Sequence, residues 1–192
     1  MTLLLCACAA EDKALARPSP ARADQPAVAQ GLSPELAAYR SQEILKDVPW
    51  GATPDEVVAK KGEPQERSGH SMTFVDSVVG APVPVVFAFH EGHLAQTKTS
   101  FSGRPPSSLI EKGMQMRYGA DAVAAESLVA FSVFGAEGVA PAFAVDHSVG
   151  WKTKESAIVL IVATGGGQAE VISSSLTLAP LLLAARTDAQ KK

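Results

Sequence analysis

The chain has 192 residues, enough for one domain with a tail, and carries a formal net charge of -3 with a pI near 5.8. Hydrophobic residues make up 46% and charged residues 19%, a composition that supports a buried core. Basic residues are scattered, with no run beyond a pair, which excludes the positive footprint of a nucleic-acid binder.

Residues 1–8 read MTLLLCAC, with both cysteines of the chain, Cys6 and Cys8, inside them. The body of the chain therefore has no disulfide frame. Leu5-Cys6-Ala7-Cys8 resembles a bacterial lipobox, with an aliphatic residue three before the cysteine and a small one just before it. The resemblance implies cleavage before Cys8 and lipid on its sulfur. Only Met1 and Thr2 precede the leucines, so the segment reads as a truncated signal, without the usual positive opening. Residues 9–31 hold Pro18, Pro20 and Pro26 among small and polar residues, which cannot bury enough surface to offset their ordering entropy. They read as a disordered tether to a single domain over residues 32–185.

Ser33-Pro34-Glu35 has the form of a helix start, and a helix is expected to about Lys46 with Leu36, Tyr39 and Ile44 as its apolar stripe. The next helix is marked at both ends. Thr53 is a cap, Pro54 suits the first helical position, and Glu56 completes a capping box. Asp55 and Glu56 sit at the positive end of the helix dipole, Lys60 and Lys61 at the negative end. Gly62 is expected to close the helix in the left-handed conformation, with Pro64 beyond it.

After Pro64 the period changes. Strands are expected over Ser71–Val79, Val83–His90 and His93–Phe101, the last two joined by a Glu91-Gly92 hairpin turn. Arg104-Pro105-Pro106-Ser107 opens a further helix, which carries Leu109, Ile110, Met114, Met116 and Tyr118 and ends at Tyr118-Gly119. Four more strands are expected: Leu128–Phe134, Ala142–Thr153, Ser156–Ala163 and Ala169–Leu178. Leu181-Leu182-Leu183 is far short of a membrane span, and residues 186–192 form a polar tail. The predicted fold class is α+β: two helices packed on one antiparallel sheet, with a helix-plus-meander plan weakly repeated in tandem.

Trp50-Gly51-x-Thr53-x-x-Glu56-Val57 with Gly62-x-Pro64 resembles small cell-envelope proteins of the BamE/SmpA lipoprotein and β-lactamase-inhibitor-protein-like type. Trp151, Ile158-Val159-Leu160-Ile161 and Glu170-Val171-Ile172 extend that resemblance. It implies a fold and an envelope location more than a task.

No catalytic motif is present. His90 and His93 are expected to face each other across the hairpin, yet no third metal ligand is evident, and two polar residues beside an exposed turn explain them. Thr164-Gly165-Gly166-Gly167 lacks the Lys-Ser/Thr and the following helix of a phosphate loop, and reads as a hairpin tip. Asp146, His147 and Ser173 to Ser175 could be written as a triad, but no nucleophile elbow surrounds any serine. Trp50 and Trp151 read as core wedges, with contact to a partner protein as the alternative.

The expectation is therefore a non-enzymatic, cofactor-free lipoprotein of the cell envelope. It would be anchored through Cys8, face the periplasm or exterior, and bind or assemble with an envelope protein. The alternative is a carrier of a small apolar ligand or lipid in a groove between helix and sheet.

Overall fold

The computed structural model describes residues 33–42, 44–45, 47–78, 80–120, 122–125, 143–182 and 184. All belong to one compact unit, Gly31–Lys192. Cys6, Cys8, the expected tether, the expected strand Leu128–Phe134 and the tail from Arg186 lie outside them.

The capped helix forms as its sequence dictates. Helix α2 spans Pro54–Lys61, and the Thr53 backbone N–H donates to Glu56 Oε2 at 2.6 Å while Glu56 N donates to Thr53 Oγ1 at 3.3 Å. Gly62 has φ 83° and ψ -165°. That conformation is essentially glycine's alone, although it lies outside the left-handed helical well expected for it.

The segment before α2 departs from expectation. Helix α1 covers only Pro34–Ala37, with Ser33 Oγ accepting from Leu36 N. A small hairpin follows, strand β1 (Ile44–Leu45) against β2 (Val48–Pro49). Asp47 takes φ 70° in its turn, as Asp tolerates better than most residues. Ser41 N donates to Trp50 O, and Ser41 Oγ meets Glu155. These long-range bonds hold the chain out of the helix that local propensity favours.

The rest of the fold is one antiparallel sheet of seven strands: β3 (Glu66–Ser68), β4 (Ser71–Val78), β5 (Ala81–His90), β6 (His93–Ser102), β7 (Val145–Lys152), β8 (Ser156–Ala163) and β9 (Gln168–Ser175). Their spatial order is β3-β4-β5-β6-β9-β8-β7. Two meanders thus meet through their last strands, β6 against β9, with Thr99 opposite Val171 and Thr97 opposite Ser173. The hairpin turn at Glu91-Gly92 has φ 47° and 80°, the twist-matched form for a two-residue connection. Next to it a bulge at Ala95 puts Ala88 opposite Gln96 but Phe89 opposite Leu94. Ser175 Oγ accepts from Thr177 N and Leu178 N, which ends β9 and starts the helical turn at 179–182.

The expected α+β class is overturned by this sheet. The helices are short: α2 has eight residues, and α3 (Ser107–Tyr118) has twelve. Each fully buries a single residue, Val57 and Ser107. The strands bury far more, and β8 is buried at all eight positions. The apolar surface that drives folding therefore resides in the sheet. Among the described residues the first meander has four strands and the second three, and the expected strand Leu128–Phe134 of the second lies outside them.

Alternation sorts the strands into two faces. One carries the main core: Met72 and Phe74 of β4, Val83, Val85 and Phe87 of β5, Phe101 of β6, Leu160 of β8 and Trp151 of β7. Phe74 and Phe87 meet edge to face at 5.2 Å. Trp50, Val57 and, half-buried, Ile110, Met114 and Tyr118 of α3 pack on this face. No helix among the described residues is long and apolar enough to cross a membrane.

Candidate functional site

Helix α3 does not lie flush on the sheet. Ile110, Met114 and Tyr118 recur every four residues and point one stripe at the core, but all three are only half-buried. Between α3 and the sheet lies a cavity of about 460 Å³, within the usual range for small-molecule sites. Its floor is Thr99 and Phe101 of β6, Val171 and Ser173 of β9, and Val78 of β4. Its roof is Leu109, Ile110, Gly113, Met114, Arg117 and Tyr118.

The mouth is charged but balanced. Asp47 and Asp76 line it, and Lys61 at the end of α2 reaches both carboxylates, at 3.0 and 3.3 Å. The Lys61 side chain is 13% exposed, so one ammonium closes this wall for two anions. Arg117 of α3 also lines the cavity, its guanidinium 5.5 Å from the centre of the Tyr118 ring.

The floor carries two hydroxyls without a hydrogen-bond partner among the described residues. Thr99 is 2% exposed and Ser173 is 6% exposed. Among the described residues neither side chain makes a hydrogen bond. Neither oxygen is among the sealed, unpartnered polar atoms of the described residues, so both open onto the cavity, where they can meet water or a ligand.

The sequence candidates fall elsewhere. Trp50 and Trp151 are 0% and 1% exposed, so both stand in the core and neither offers a surface to a partner. The indole of Trp50 donates to Ser156 Oγ at 2.8 Å, and that of Trp151 to Gly119 O at 3.0 Å. Trp151 also packs against Tyr118, 6.5 Å between ring centres, beneath the end of α3.

His90 and His93 do face each other in register. The Nδ1–H of His93, however, donates to Gly51 O at 3.1 Å, tying the hairpin to the segment before α2. No group of three metal-ligating side chains occurs among the described residues. Thr164 to Gly167 form the turn between β8 and β9, with Gly165 and Gly166 at positive φ.

Asp146 and His147 are joined, Asp146 Oδ2 lying 2.8 Å from His147 Nδ1, but the serines are remote from them. Ser173 is in register with Ile158 and Trp151, two strands from β7 and four residues along from His147. Four residues of strand are about 13 Å. The other nitrogen of His147 instead meets Glu111 of α3 at 3.3 Å. The bond to Asp146 outweighs desolvation and, with Glu111, raises the imidazole's pKa above its ordinary value. The cluster is a tie between the sheet edge and α3.

The cavity itself was not legible in the chain. Its floor joins β6 to β9, two strands of mixed polar sequence in which nothing local marks Thr99 and Ser173 as inward-facing. No protein-family model matches the sequence, and no curated protein matches it. Among solved structures, a DUF4309 family protein, YjgB, from Bacillus subtilis subsp. subtilis str. 168 is similar at a TM-score of 0.38 and 12% identity, over 64% of this chain and 78% of that one. Likeness of that degree shows neither family nor task.

Proposed function

We propose that this protein is a non-enzymatic binding domain that holds a small, largely apolar molecule beneath α3. The cavity of about 460 Å³ carries this reading, because a concave site of that size beneath a helix is the usual form of a small-molecule site. The lining is mixed, apolar at Phe101, Ile110, Met114 and Val171 and polar at Thr99, Ser173, Arg117 and the Lys61-bridged Asp47 and Asp76, with His147 engaged on the far edge of the sheet. The envelope setting rests on the lipobox-like Leu5–Cys8 and on the resemblance of Trp50–Pro64 to envelope lipoproteins. Cys8→Ser, expressed behind a complete signal, then moves the protein to the soluble fraction; unchanged fractionation with no added mass at Cys8 removes the anchor.

A protein-docking role has one observation in its favour. Leu109 and Met116, seven residues apart on α3, are 48% and 81% exposed. Isolation of the full chain from its native envelope separates the readings. A small apolar compound at about one per chain supports the carrier. A stoichiometric protein partner that Met116→Glu abolishes, with an empty organic extract, supports docking.

A further inference from the structure

The floor of the cavity says what kind of molecule fits it. We infer that the ligand is electrically neutral and carries one hydroxyl or carbonyl, seated between Thr99 and Ser173 with its apolar body beneath Ile110 and Met114. This rests on the small-ligand reading and adds a chemical class to it.

Three observations lead there. The first is the pair of buried hydroxyls, 2% and 6% exposed, which face the cavity without a protein partner. Both oxygens open onto the cavity and its water; a ligand that displaced that water without replacing its hydrogen bonds would leave them unpaired, which is costly, so a ligand that fits presents a polar atom at the base. A hydroxyl both donates and accepts, so the pair takes an alcohol or a carbonyl equally.

The second is their spacing. Thr99 pairs with Val171 and Ser173 with Thr97, which makes Thr99 and Ser173 diagonal neighbours on adjacent strands. Diagonal neighbours lie about 7–8 Å apart, somewhat less between their Cβ atoms, leaving room for one oxygen to meet both hydroxyls. Around that point the walls are Phe101, Val171 and Met114, which suit hydrocarbon.

The third is charge. The lining holds two carboxylates, Asp47 and Asp76, against one guanidinium, Arg117. Lys61 bridges the carboxylates from behind, so the mouth has no net charge to offer an ion. On the floor, hydroxyls alone do not repay the desolvation of a carboxylate or an ammonium.

The test uses the full chain and a fluorescent neutral ketone, 6-propionyl-2-(dimethylamino)naphthalene, displaced by either 1-decanol or decanoate at pH 8. Saturable probe binding is expected, with 1-decanol displacing it at concentrations at least about ten-fold below decanoate. Thr99→Val and Ser173→Ala should each weaken 1-decanol about three- to ten-fold, the worth of one hydrogen bond. Thr99→Ser, which keeps the hydroxyl, should restore it. Melting temperatures of all variants identify any that fail to fold, and the Thr99→Ser comparison stands if Thr99→Val is lost. Decanoate binding as well as decanol, with that binding lost in Arg117→Ala, would overturn the neutral class and leave the carrier reading intact. Decanol affinity unchanged in both hydroxyl variants would do the same. Absence of any saturable binding would bring down both.

Discussion

Helices α2 and α3 cover the same face of one sheet and are held in opposite ways. Helix α2 is fastened at every point: Thr53 and Glu56 close its start, Gly62 closes its end, Val57 is fully buried, and Lys61 grips Asp47 and Asp76. Helix α3 is longer but looser. Pro106 at its N-cap supplies no side-chain hydrogen bond, its first turn has no acidic residue, and its stripe stops short of the sheet. Caps and a buried anchor fix one helix, while half-buried residues and an exposed ion cluster leave the other as a roof. Ligand-binding elements are drawn from the less stable parts of a fold, which is where α3 belongs.

The largest expected effect breaks the fastened side. Trp50 leads into α2 and is fully buried, so Trp50→Ala should cost about 3–5 kcal/mol in denaturant unfolding. The matching change on the roof, Met114→Ala, should cost less than about 2 kcal/mol, below the usual buried range, because a cavity already lies beside it. Equal losses would erase the distinction.

Gly51 sharpens it. It has φ 81°, and a Cβ there would stand 2.1 Å from the Tyr39 carbonyl oxygen, which is backbone and cannot swing away. Gly51→Ala should therefore cost more than the ~1–2 kcal/mol that the left-handed backbone costs alone. Gly62→Ala meets nothing within 4 Å and should show only the conformational penalty. Comparable midpoints for the two variants would contradict this packing. Thr53→Ala comes next, at about 1 kcal/mol, the usual worth of an N-cap hydroxyl.

The smallest effects are pH effects, and they have opposite signs. The backbone N–H of Thr53 is the main cause that holds the Glu56 carboxyl below its ordinary pKa. Stability from that group is present above the unfolded-state value of 4.5 and is lost as pH falls through the folded value. His147 is raised, chiefly by its bond to Asp146. Its contribution is present below 6.5 and is lost as pH rises through the folded value. Glu56→Gln should flatten the limb that falls below pH 4.5, and His147→Gln should flatten the limb that falls as pH rises above 6.5. Both groups are largely exposed, so each change is small.

These contrasts also show what could be read in advance. The α2 caps, the Glu91-Gly92 turn and the edges of β4, β5, β6 and β8 follow from residues next to one another, and local sequence carries them. The stub α1 does not, because Ser41 is held by Trp50, beyond the small hairpin, and by Glu155, far along the chain. Strand β3 is exposed at all three positions and has no apolar alternation to announce it. The class was misjudged because helix signals are compact and legible, whereas the sheet's hold on the core emerges only when β6 meets β9. That same pairing brings Thr99 and Ser173 together, so the candidate site was hidden for the same reason.

The central claim is that the space beneath α3 is a binding site, and Gly113 tests it most directly. This residue lies inside α3, lines the cavity, and a Cβ added there meets nothing within 4 Å. Gly113→Leu should leave the melting temperature unchanged or raised, since glycine inside a helix costs up to about 1 kcal/mol relative to better helix formers. Its side chain should occupy the ligand's place, so binding of the neutral ketone probe, measured by fluorescence titration, should weaken at least about ten-fold. A folded Gly113→Leu protein that binds the probe as tightly as the unaltered chain would place the ligand elsewhere and contradict the account.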